Sequence, residues 1–140
     1  MIIDHIGIVV KSLEEGILHW KAFFGYHQET EIMENTRQRV HVVFMEKENS
    51  IPVKLVAPAD DGSPVSAFAR KGGGLHHLCF RCPSVDPEIM RLQSLGAHIL
   101  SPPQPGEAFE NEKIAFVFCK MGLNIELIDT DKRANRITPA

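Results

Sequence analysis

The chain opens on a run of β-branched and apolar residues, Ile2 to Val10, closed by the polar pair Lys11 and Ser12, and this pattern predicts a buried strand. A helix follows. Leu13, Ile17, Trp20 and Phe24 recur at helical intervals as one apolar stripe, Ser12 and Glu15 have the spacing of a capping box, and Gly25 ends the segment. Stretches near 26–33, 38–47 and 51–57 read as three further strands, with KENS as the turn between the last two and NTRQ before the second. The second half repeats this plan. A strand is expected at 75–82, a helix from Pro87 to Leu95 behind an Asp86 cap, and strands near 97–101, 113–119 and 122–128. Between the halves, residues 59–74 form a connector with a short helix around Val65 to Arg70, and SPPQPGEAFENEK is the main irregular loop of the second half.

The two halves share one register. His5 in DHIGIVV falls on His77 in HHLCFRC at a shift of 72 residues, and the same shift carries Lys54 in IPVKLVAP onto Glu126 in LNIELIDT. A duplicated unit places such positions around a pseudo-twofold axis. The fold class that follows is α+β: a single domain of two tandem βαβββ modules, 1–58 and 75–130, with curved mixed sheets around a central cavity. Alternation along the strands sorts the faces, because side chains i and i+2 point the same way. His5, Gly7 and Val9 share one face, His77, Cys79 and Arg81 share another, and only one histidine of the His76–His77 pair is expected to face the cavity. Lys54 and Glu126 oppose their apolar neighbours, so all four related residues are expected on the face away from the helices.

Composition narrows the class of partner. An apolar fraction of 44%, a charged fraction of 24% and a formal net charge of −3 are those of an ordinary globular protein. They give no electrostatic case for nucleic acid or an anionic membrane, so the expected partner is a small molecule. No basic leader or long apolar run is present, which predicts a cytoplasmic protein, and the three cysteines are expected as free thiols.

His5, His77 and Glu126 are a plausible ligand set for a divalent cation, since two imidazoles and a carboxylate give a charge-balanced donor set with positions left for water or substrate. Other motifs carry less. Cys79 and Cys82 in CFRC point to opposite faces of a strand, and KGGG precedes a strand rather than joining a strand to a helix. His76 reads as a structural histidine and His19 as exposed on the first helix.

The segments DHIGIVV, GGGLHHLCF and GLNIELI resemble the vicinal oxygen chelate superfamily, which includes glyoxalase I, extradiol dioxygenases, fosfomycin-resistance enzymes and bleomycin-binding proteins. They are most similar to its methylmalonyl-CoA epimerase branch, and VAPADDGSPVSAFARKGGGLHHLCF is close to that branch's central segment. The resemblance implies paired βαβββ modules, a homodimer, and a divalent metal ion (zinc, nickel, cobalt or manganese) held by His5, His77 and Glu126. The chain departs from the pattern at Lys54, where that branch usually carries a glutamate or glutamine as fourth ligand.

The activity implied is that of an isomerase or lyase on a small acyl or carbonyl compound such as an acyl thioester, with proton removal next to the carbonyl and an enolate intermediate. Glu126 is the expected base and Lys54 its catalytic partner, with His41 a further acid/base candidate should it face inward. The alternative is a binding protein of the bleomycin-resistance kind, without metal or catalysis, in which Lys54 takes the cation's place beside Glu126. An accessory role in a biosynthetic pathway is a third reading.

Overall fold

The computed structural model describes residues 1–137. Its elements are β1 (Ile2–Val9), α1 (Leu13–Phe24), β2 (His27–Gln28), β3 (Met33–Asn35), β4 (Val40–Glu46), β5 (Val53–Pro58), α2 (Ser66–Arg70), β6 (Gly74–Arg81), α3 (Val85–Ser94), β7 (His98–Gly106), β8 (Glu112–Cys119) and β9 (Leu123–Ile128). A 3-10 turn spans Glu107–Phe109. The strands make one nine-stranded sheet in the order β2-β4-β5-β1-β6-β9-β8-β7, with β3 also paired to β4.

The duplication is visible in the hydrogen-bond ladder. β1 is parallel to β5 with Gly7 opposite Lys54, and β6 is parallel to β9 with Cys79 opposite Glu126, the same pairing moved by 72 residues. Phe44 faces Lys54 across β4–β5 as Phe116 faces Glu126 across β8–β9. The halves join where β1 meets β6 antiparallel, so the curved sheets expected from sequence are one continuous surface. Each of these strands would otherwise leave a row of unpaired backbone groups at an edge.

Two apolar layers lie beneath the helices and a third lies on the concave face. Leu13 and Ile17 of α1 pack on Val43, Met45 and Leu55, while Val85 and Ile89 of α3 pack on Val117, Ile125 and Leu127. Leu55 and Leu127, also 72 residues apart, are fully buried, and each contributes about 1.5–3 kcal/mol by leaving water. α1 begins where Ser12 Oγ accepts from the Glu15 N–H at 3.3 Å and ends at Gly25 with φ +73.

Four local expectations give way to tertiary contacts. The strand expected at 26–33 is split into β2 and β3, because Thr30 turns inward to accept from the Phe44 N–H at 3.1 Å and bridges to Arg136. α3 starts at Val85 rather than Pro87, and Asp86 is not its cap: Asp86 pairs with Lys113 Nζ at 2.7 Å, while Asp129 accepts from the Val85 N–H at 3.0 Å. The strand expected at 97–101 continues to Gly106 as β7, through residues placed in the irregular loop. Its prolines are tolerated because β7 lies at the sheet edge and bonds only to β8, with register shifts on the way. His41, finally, turns to the helix side, beside Leu13 and Glu14, and not into the cavity.

Candidate active site

β1, β5, β6 and β9 run side by side at the centre of the sheet and deliver His5, Lys54, His77 and Glu126 to one point on its concave face. The Glu126 carboxylate is the hub. Its Oε1 lies 3.0 Å from His5 Nε2, 3.0 Å from His77 Nε2 and 3.3 Å from Lys54 Nζ, and its Oε2 lies 3.4 Å from the same Nζ. All four side chains are buried. Phe44 meets His5 edge to face and Phe116 meets His77 in the same way, again as repeat mates.

Two bulges complete the arrangement, one on each side of the axis. The β1–β6 register breaks at Asp4 on one strand and at His76 on the other, positions 72 apart and each just before a site histidine. A bulge leaves one residue unpaired and re-aims its side chain. Asp4 Oδ2 accepts from His5 Nδ1 at 2.7 Å, and His76 Nδ1 meets His77 Nδ1 at 2.8 Å. Both histidines of the pair therefore reach the cavity, which His76 and His77 line together, contrary to the strict alternation expected from sequence. Gly7, opposite His77, is required by the same geometry: a Cβ there would lie 2.1 Å from the imidazole Cε1.

Asp4 is held in turn by the C-terminal segment. Arg133 Nη2 donates to Asp4 Oδ2 at 2.6 Å and its guanidinium lies 4.1 Å from the centre of the Phe44 ring, while Glu29 lies 3.5 Å from Arg136. Neither Arg133 nor Gly7 carried a sequence signal for this role. Asp4 and His76 did: the shift that pairs the site histidines also pairs them.

The electrostatics follow from burial set against partners. Burial raises the Glu126 carboxyl, but Lys54, the hydrogen bond from His5 and the close His77 imidazole outweigh it and hold the group well below the usual glutamate range. Burial also raises Asp4, where the bonds from His5 and Arg133 prevail and lower it. His77 is lowered to about 4, chiefly by burial, and His76 is lowered by burial and then by Lys54.

A cavity of about 450 Å³ opens above this centre. Lys54, His76 and His77 form its floor, Arg37 and Gln38 contribute on one wall, and Ser101, Gln104 and Asn124 add polar groups. His5 and Glu126 lie behind that floor and are not among the lining residues.

His5, His77 and Glu126 bring one donor atom each within 4.8 Å of one another, so the expected metal-ligand group is present. The 3.0 Å edges also suit ligands about 2.0–2.1 Å from an ion. His77 Nε2, although 3.0 Å from Oε1, makes no hydrogen bond because the ring N–H direction misses the oxygen; the distance measures contact and the angle decides the bond. Charge decides against an ion. Glu126 is paired with Lys54, Asp4 with Arg133, and Glu29 with the part-exposed Arg136, so each buried carboxylate already has its cation. A divalent ion about 4 Å from an ammonium would be repelled by roughly 8 kcal/mol at an effective dielectric near 20. The set containing Lys54 does not fit a divalent cation. A second group, Asp4, His5 and Cys79, fares no better, since burial pushes the Cys79 thiol well up and Arg133 already claims Asp4.

Comparison with known proteins places the chain. Residues 4–116 match the family model of the Glyoxalase/Bleomycin resistance protein/Dioxygenase superfamily, and the chain belongs to that superfamily. It is 31% identical over 119 residues to the uncharacterized protein YqjC of Bacillus subtilis, covering 82% of this chain and 81% of the relative. The methylmalonyl-CoA epimerase of Mycobacterium tuberculosis superposes with a TM-score of 0.80 at 28% identity, over 91% of this chain and 86% of that one. A variant of the Streptomyces coelicolor methylmalonyl-CoA epimerase, in complex with 2-nitronate-propionyl-CoA, superposes with a TM-score of 0.80 at 25% identity, over 92% and 96%. No helix among the described residues is long and apolar enough to cross a membrane.

Proposed function

We propose that the chain is an isomerase of acyl-CoA thioesters, removing the hydrogen next to the thioester carbonyl and holding the resulting enolate. The observation that carries this reading is the cavity floor: a cation and two imidazoles, Lys54, His76 and His77, in a fold shared with epimerases. Lys54 receives the carbonyl oxygen as negative charge develops on it. Glu126, the base expected from sequence, lies behind Lys54, does not line the cavity and is held ionised by Lys54 and His5, which makes it a poor proton acceptor. The acceptor assigned here is the His76–His77 pair, since both imidazoles line the cavity where the substrate hydrogen would lie. Glu126 then serves as the fixed negative charge that steadies Lys54. The divalent cation expected at His5, His77 and Glu126 has no part in this reading, for the charge reason given above.

A second reading, sequestration without turnover, draws on the cavity wall, where no carboxylate is found among the described residues to act from the opposite side. Solvent exchange separates the two. The protein is incubated with methylmalonyl-CoA in heavy water, and the α-hydrogen is followed by NMR against a protein-free control. The expected result is exchange above the control, reduced about a hundredfold or more in His77→Gln. Thioester binding without exchange would establish the sequestration reading instead.

A further inference from the structure

We infer that Lys54 is the resident cation of this site, a side-chain ammonium doing the electrostatic work of an ion and leaving the centre independent of metal. The position is the first ground. Lys54 is the repeat mate of Glu126 and reaches both Glu126 oxygens, at 3.3 and 3.4 Å. It is also held there. Its Nζ lies 5.2 Å from the centre of the Phe109 ring and 5.8 Å from that of Phe44, within the range at which aromatic faces attract a cation.

Donor counting supplies the second ground. An ammonium has three N–H donors and no acceptor. The acceptors of Lys54 Nζ among the described residues are the two oxygens of the single Glu126 carboxylate, which leave at least one N–H unused. Lys54 nevertheless lines the cavity, although it is only 3% exposed. A buried donor beside the cavity favours an occupant that brings an acceptor. An anionic oxygen suits it best, since it adds charge attraction to the hydrogen bond. The substrate class is thus an acyl compound that presents an enolate or carboxylate oxygen at its reacting end. Arg37, on the cavity wall, adds a second positive group for a substrate of that charge.

The test has two arms, and only the second rests on the acyl-thioester reading. In the first, protein stripped with a chelator is titrated with Co²⁺ alone, followed by calorimetry and the visible spectrum. Wild type is expected to take up no stoichiometric ion, whereas Lys54→Gln and Lys54→Glu gain affinity by about a hundredfold or more as the repelling charge is removed. Stoichiometric Co²⁺ binding by wild type, lost in His77→Ala, would overturn the inference. In the second arm, 2-nitronate-propionyl-CoA is titrated into wild type in the continued presence of chelator. Tight binding, weakened about tenfold or more in a folded Lys54→Met variant, supports the inference; binding that disappears with chelator in wild type refutes it. If no form binds the nitronate while the Lys54→Glu protein acquires Co²⁺, the acyl-thioester reading fails and the resident cation stands.

Discussion

Removing the Lys54 ammonium isolates a fully buried charge. Glu126 is 0% exposed, and after Lys54→Met its carboxylate keeps only imidazole partners, so the variant should lose about 3–5 kcal/mol, the usual cost of breaking a buried pair from one side. At roughly 3 °C per kcal/mol for a chain of this size, that is a fall of about 10–15 °C in Tm. Glu126→Gln breaks the pair from the other side and strands an ammonium that is 3% exposed, at a similar cost. The double variant leaves neither charge behind, so its destabilisation should be smaller than the sum of the two by several kcal/mol. Urea unfolding of the four proteins at pH 7 yields the coupling directly. The acid side supplies a second sign. Glu126 is held well below its ordinary value in the native protein, so its contribution is present above the unfolded glutamate range and fades as pH falls through the folded value. The Lys54→Met penalty should shrink in the same direction, as acid offers the stranded carboxylate a proton. Strict additivity of the two substitutions at pH 7 would show that this pair does not balance the buried charge, and Lys54 would no longer stand against a divalent ion at the site.

Two further outcomes test the surrounding geometry. Gly7→Ala places a methyl group where the His77 ring stands, 2.1 Å from Cε1, so it should cost about 1–3 kcal/mol in thermal unfolding and displace the imidazole, seen as a changed His77 ring resonance in NMR. His77 is lowered from 6.5 to about 4 by burial, so the unfolded chain binds a proton between those values and the native one does not. Stability from this residue is therefore complete above about 6.5 and declines as pH falls toward 4, by about 2 kcal/mol between pH 7 and pH 5. Urea midpoints at the two pH values should show that loss in wild type and not in His77→Gln.

The site was legible to the extent that it obeys the repeat. His5, Lys54, His77 and Glu126 meet because each lies on a strand whose partner is set by the duplicated plan, and a shift of 72 residues is visible without coordinates. His76 was misassigned because strand alternation assumes an unbroken ladder, whereas the β1–β6 pair carries an extra residue on each strand. Arg133 was invisible for a different reason. It follows the last strand, and only the return of that segment past Asp4, Phe44 and Glu29 makes it part of the centre.

Local pattern and internal symmetry by themselves determined the order of strands and helices, the duplication, the two apolar layers under α1 and α3, and the four residues of the centre. Those properties depend on periodicity and spacing, which a single chain carries. Tertiary structure alone decided that the two halves share one sheet, that bulged Asp4 and His76 turn toward the histidines, and that Lys54 faces the cavity while Glu126 stands behind it. These are outcomes of which groups find partners once water is excluded. The balance between burying a charge and pairing it is struck among residues far apart in sequence, and it exists only after the chain has closed around them.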